Sequence, residues 1–252
     1  MSALKPVRLD KLLANLGYGS RREIAELARR GRIRLDGVAL RRADEKVMPD
    51  AALQAGLQVD GEPIDPLPPM TLMLNKPTGV TCSRKDAGEI VFDLLPDRWR
   101  MRDPALNPIG RLDRMSSGLL LLTDDGQLSH RVTSPRHDTP KRYRVTLDRP
   151  LDGREAALFA SGEMMLDGED KPLLPATLET TAECEALITI HEGRYHQVRR
   201  MFAAAGNHVL DLHRDRIGGL ALPADLQPGE WRVLDAQQAD AIFQSDAANP
   251  AP

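Results

Sequence analysis

Leu9, Leu12, Leu13 and Leu16 fall at the i, i+3, i+4, i+7 spacing of one helix face, and Gly17 closes the run. Ser20 opens a second predicted helix with Glu23 in capping-box position, Ile24, Leu27 and Ala28 on its apolar side, and Gly31 at its end. In IRLDGVAL, apolar pairs Ile33/Leu35 and Val38/Leu40 flank Asp36-Gly37, which predicts a hairpin, and VDGEPI at 59–64 predicts another short turn between strands. Further on, TLMLNK reads as a short strand, GLLLLT (118–123) as a buried strand, QLSHRVTS as a helix, KRYRVTL as an alternating strand and ECEALITI as another. Tyr195, Val198, Met201/Phe202 and Ala205 give helical spacing up to Gly206. Strands and helices mix without strict βαβ alternation, so the expected class is α+β.

Three prolines in DPLPPM make residues 65–70 unsuitable for a helix interior or a central strand, and predict a semi-rigid linker. The expected organisation is a small head at 1–64, that linker, a body at 71–240 and a flexible tail at 241–252.

Charge sharpens the division. The whole chain has net charge −3, yet residues 1–46 hold 12 Lys/Arg against 6 Asp/Glu, so the excess of acid lies in the remainder. Arg21, Arg22, Arg29 and Arg30 lie along the second helix, with Arg32 and Arg34 at the hairpin. They form either a solvated polar face or a set of guanidinium forks for phosphate. Aromatic residues are 4% of the chain, so the core must be built from Leu, Val, Ile, Ala and Met. No apolar run approaches the ~20 residues of a membrane span. The N-terminus lacks the apolar stretch of a secretory signal, and Cys82 and Cys184 fit no metal or redox spacing. A cytoplasmic, monomeric protein without a membrane partner is expected.

Several chemistries drop out. The histidines of HEGRYH are five apart, one too many to share a helix face as HExxH requires, and His208 and His213 are likewise five apart. No phosphate loop, dinucleotide fingerprint or nucleophile elbow is present, so neither metal nor cofactor is expected. What remains is GRLDRMSSGLLLLTDDG (110–126), where Asp113 stands between Arg111 and Arg114 ahead of a core strand. Locally this is either a structural Asp–Arg pair or a reactive carboxylate withdrawn from water.

The helix–helix–hairpin with its arginines resembles the small αL S4-like RNA-binding module. GRLD-x-x-S-x-GL followed by LTDDG resembles the active-site motif of the RsuA-type pseudouridine synthases, and LNKP, KRYRV, EGRYHQVRRM and RIGGL follow the family's order. SHRVTSPRH and GEDKPLLPA are most similar to members that act on small-subunit (16S) ribosomal RNA. The resemblance implies a mainly antiparallel α+β catalytic domain and a cofactor-free isomerisation of one uridine to pseudouridine. It makes Asp113 the essential carboxylate, Tyr143 the residue against the target base, and Arg199 the basic partner of Asp113. Arg111 would hold the place or phosphate of the flipped uridine, Lys76 would support the site, and Arg200 would face RNA phosphate. The implied partner is ribosomal RNA, within an assembling small subunit. The alternatives are a non-catalytic RNA-binding assembly factor and a synthase for large-subunit RNA. Met115 departs from the family, which has Asp or Asn there, and suggests a missing side-chain contact.

Overall fold

The structure is a computed structural model and describes residues 4–134 and 138–244. The last residues of SHRVTSPRH, 135–137, and residues 245–252 of the expected tail lie outside the described residues.

Two compact units are present. The first comprises the chain up to Met70 together with Leu95–Asn107 and Thr123–Asp125. Its elements are β1 (Val7–Arg8), α1 (Leu9–Asn15), α2 (Arg21–Arg29), β2 (Ile33–Leu35), β3 (Val38–Ala39), β4 (Lys46–Val47), α3 (Ala51–Gly56), β5 (Leu57–Val59) and β6 (Glu62–Pro63). Ser20 accepts a hydrogen bond from the Glu23 backbone while the Glu23 carboxylate accepts from Ser20 N–H, the reciprocal cap the sequence predicts. Asp36 and Gly37 both take positive φ, 50° and 80°, as a tight turn between β2 and β3 requires. Strand order is β3-β2-β5-β6, and β1 pairs with β4 separately. Leu9, Leu13, Leu16, Ile24, Ile33 and Leu57 close the core with no exposed surface.

The expected linker is not a spacer. Asp65 is 8% exposed and takes both Nε and Nη2 of Arg98, while its backbone N–H donates to Tyr18 Oη at 2.9 Å. Leu67 N–H donates to Gln54 Oε1 at 2.6 Å. Arg98 belongs to a 3₁₀ turn at Asp97–Met101, within sequence assigned to the body by contiguity. Arg102 and Asp124, at 1% and 0% side-chain exposure, form a buried ion pair of 3.1 Å. The head is therefore assembled from three stretches of chain.

The second unit contains β7 (Thr71–Lys76), β8 (Asn107–Ile109) and β9 (Ser117–Thr123) apart from their end residues Asn107 and Thr123, α4 (Gly126–Thr133), β10 (Lys141–Leu147), α5 (Arg154–Ala160), β11 (Thr177–Ala182) and β12 (Glu185–Ile190). It continues through α6 (Gln197–Ala204), β13 (Val209–Ile217), β14 (Leu220–Ala221), β15 (Trp231–Val233) and α7 (Ala236–Ala241). A mixed sheet runs β11-β12-β10-β13-β9-β7-β15, with β14 added beside β13 and β8 beside β9. β10 pairs antiparallel with β12 and β13, whereas β13 and β9 are parallel. The body extends beyond its expected end at 240: Ile242 has no exposed surface and packs with Met73, Leu119, Leu121 and Ile217. Residues 241–244 are thus not part of a tail. At the β9–β13 junction Gly118 has φ 101°, and an added Cβ would stand 2.2 Å from the Arg214 carbonyl oxygen. Only glycine lets β13 approach there, and this approach sets Arg214 against β9, where its Nε donates to Leu119 O.

Candidate active site

Asp113 lies in the loop between β8 and β9, with its side chain 34% exposed. Every carbonyl from Leu112 to Ser116 accepts a hydrogen bond. Cys82 Sγ reaches Leu112 O at 3.4 Å, Ser116 N–H donates to Asp113 O at 3.0 Å, and Gly79 N–H donates to Arg114 O at 2.8 Å. Arg199 Nη2 donates to Met115 O at 3.1 Å, and Lys76 Nζ to Ser116 O at 2.8 Å. A loop held at each peptide fixes its carboxylate before any ligand arrives.

Lys76 has no exposed surface to offer RNA, and its ammonium also donates to Pro77 O at 2.9 Å, so it supports the loop from inside. Burial pushes its pKa down, opposed by the nearby Asp113 charge. Arg199 spans Met115 O and Val209 O. It clamps the Asp113 loop instead of pairing with the carboxylate, because the start of α6 orients it toward backbone acceptors. This contact uses the Met115 carbonyl, so the departure from Asp or Asn at 115 removes nothing from it, and the Met115 side chain is exposed. Among the described residues, the group within ion-pair distance of Asp113 is His196, Nε2 to Oδ1 at 3.4 Å.

Tyr143 on β10 is 7% exposed and lies opposite Arg214 of β13 and Ile188 of β12. Its hydroxyl accepts from Arg214 Nη1 at 3.3 Å. Arg214 Nε donates to Leu119 O at 2.8 Å, while Arg214 Nη2 and Ser116 Oγ are buried with no partner among the described residues. Buried polar atoms rarely stay unsatisfied; Ser116 lines the pocket beside Asp113, whereas Arg214 reaches Tyr143 without lining it. Arg214 escaped the sequence reading because LHRDRI looks like an exposed charged strand. The available signal was its even spacing from Leu212, which shares its face.

Arg111, Leu112, Asp113, Ser116, Tyr143 and His196 line one pocket of about 80 Å³. Small-molecule sites typically occupy roughly 300–1,000 Å³, so a nucleobase enters only after side chains at the mouth move. Arg111 is exposed at that mouth. Arg200 is turned away: it donates to Glu169 Oε1 at 3.0 Å, Tyr195 O at 3.2 Å and the Asp167 carbonyl. This bonding engages the group expected at RNA phosphate. Larger clefts of about 420 and 620 Å³ open around His191 and around Arg142, and Asp113 lines neither. Among the described residues no cluster of His, Cys, Asp and Glu is arranged to hold a metal.

In the head, Arg21 pairs with Asp10 at 3.2 Å, and Arg29 and Arg30 both pair with Glu26. These guanidiniums are 54–68% exposed, so the pairs contribute little and exchange readily for phosphate. Arg22 is exposed and has no partner among the described residues.

Residues 70–204 match the family model for RNA pseudouridylate synthase, and residues 7–53 match the S4 domain. Ribosomal small subunit pseudouridine synthase A of Escherichia coli strain K12 is 44% identical over 241 residues, covering 94% of this chain and 100% of that one. The protein of the same name from Vibrio cholerae is 42% identical over 238 residues, again covering 94% and 100%. A crystal structure of a pseudouridylate synthase aligns with TM-score 0.65 at 36% identity, over 94% of this chain and 99% of that one.

Proposed function

Because this chain belongs to the RNA pseudouridylate synthase family and carries an S4 domain, we propose that it isomerises one uridine of small-subunit (16S) ribosomal RNA to pseudouridine. The reading is carried by one observation: Asp113 faces a pocket floored by Tyr143, on a loop whose five successive carbonyls are all held. In the reaction the N1–C1′ bond breaks, the uracil turns, C5 bonds to C1′, the C5 proton leaves and N1 gains one. Atoms balance without oxidant, metal or nucleotide. Asp113 supplies the carboxylate, whether it attacks C1′, attacks the base or removes the 2′ proton. Tyr143 packs against the base. Ser116 Oγ, without a partner among the described residues, donates to a uracil carbonyl oxygen, and Arg214 holds the Tyr143 hydroxyl without lining the pocket itself. Arg111 at the mouth takes the space or phosphate of the flipped nucleotide.

The test is release of tritium to water from 5-tritiated uridine in small-subunit ribosomal RNA, offered naked and in partly assembled particles. Release followed by chemical mapping to one position supports the reading. Absence of release with RNA binding intact replaces it with a non-catalytic assembly factor. Arg214→Gln is expected to lower turnover at saturating RNA roughly 10²-fold, as a small displacement of Tyr143 would, with RNA affinity little changed.

Binding is assigned to the head. Replacing Arg21, Arg22 and Arg29 together with Ala should weaken RNA binding and reduce the slope of log K against log salt by about 2, given about 0.7 per single-strand phosphate contact. An unchanged slope removes the head from the interface. No helix among the described residues is long and apolar enough to cross a membrane. The proposed setting is a monomer acting in the cytoplasm on a small subunit during assembly.

A further inference from the structure

Beside the pocket stands an aromatic ring that the reaction does not use. Tyr195 is 72% exposed, and its ring lies parallel to that of His196, with centroids 3.9 Å apart and planes at 14°. His196 covers one face of Tyr195, and His196 is itself the group beside Asp113. The backbone beneath them is fixed. Tyr195 O accepts from Arg200, which Glu169 anchors, and Arg194 N–H donates to Gln197 Oε1 at 2.9 Å. His196 holds the left-handed conformation, φ 48° and ψ 32°, immediately before α6. A large apolar ring held outward on so rigid a support is preorganised for contact.

We propose that the stacked Tyr195–His196 pair is a nucleobase platform: an unpaired base flanking the target uridine stacks on the open face of Tyr195. This rests on the reading given under Proposed function and adds a subsite to it. Sequence-specific RNA recognition works largely on splayed, single-stranded bases stacked on aromatic side chains. The platform is continuous with the pocket, since His196 joins Tyr195 on one side and approaches Asp113 on the other. A base seated on Tyr195 therefore lies next to the nucleotide that must leave its stack. The same seating engages the His196 side of the narrow mouth, where movement is needed for entry.

The experiment compares the full chain with Tyr195→Ala, Tyr195→Phe and Tyr195→Trp, using small-subunit ribosomal RNA both naked and in partly assembled particles. Filter binding reads affinity, and tritium release gives KM and kcat separately. Stacking of one base contributes about 1–3 kcal/mol, so Tyr195→Ala should raise Kd and KM roughly 5- to 150-fold. At saturation kcat should stay within about threefold, the salt slope should not move, and Phe and Trp should restore binding. Kd and KM within about twofold for Tyr195→Ala overturn the platform, as does a Phe variant as weak as Ala. A defect confined to assembled particles also overturns it and makes Tyr195 a protein contact. If wild type releases no tritium, the isomerase reading fails separately, and filter binding still decides the platform.

Discussion

Asp113→Asn should abolish tritium release, by at least about 10³-fold, while RNA affinity stays within a few-fold. That magnitude is the scale on which essential acid–base and nucleophilic groups act. The substitution isolates chemistry because the loop is held through its carbonyls and not through the Asp113 side chain. Asn keeps the shape, so a change in unfolding free energy above about 0.5 kcal/mol is not expected. Single-turnover release at saturating RNA is the measurement. Residual release within tenfold of wild type would transfer the role from Asp113 to another group.

Lys76→Met should act differently, lowering both stability and turnover. Met keeps the length of the stem and removes the donor. Arg114 O retains its bond from Gly79 N–H, whereas Pro77 O and Ser116 O lose the Lys76 ammonium. Leaving a buried acceptor such as Ser116 O unmade costs about 1–3 kcal/mol, and the half-buried Pro77 O less. Removing a buried charge offsets part of this, and a net loss of about 2 kcal/mol in denaturant unfolding is expected. Turnover should fall roughly 10²-fold, as small displacements of a reacting group do. The pH dependence carries a sign. Burial holds the Lys76 pKa below 10.5 in the folded chain. Between that lowered value and 10.5 the unfolded chain binds the proton more tightly, so this group's contribution to stability rises with pH across the window. The Met variant should lose that rise. Unchanged stability and turnover would show that Arg199 and Gly79 hold the loop without Lys76.

Local signals made much of the fold legible. The Ser20/Glu23 cap, the Asp36-Gly37 turn and the apolar runs behind α1, β9 and β10 depend on neighbours in sequence, and each forms where its pattern places it. Asp113 and Tyr143 could be read as site residues through the family resemblance, and they line one pocket. The basic residues were harder, because a charged side chain in sequence looks the same whether solvated or buried. Lys76 and Arg214 are buried through contacts with residues 40 and 95 positions away. Arg199 donates to Met115 O and Val209 O, not to the Asp113 carboxylate that the resemblance assigns to it, since a motif names a residue and not the acceptor it reaches. The helix itself begins at Gln197, two residues after Tyr195, because His196 adopts a left-handed conformation that no periodicity signals.

The three-part head has a consequence for inheritance. A crossover near residue 70 replaces Leu95–Asn107 and Thr123–Asp125 with the incoming chain's own segments. Arg102 and Asp124 are then exchanged together, but Asp65 must pair with whatever the incoming chain carries at position 98. Shuffling heads between relatives by a single recombination event therefore yields a sound module only where both sides of this contact match. Lineages carrying this architecture should exchange it whole, with head and body sharing one ancestry even where their surfaces have diverged.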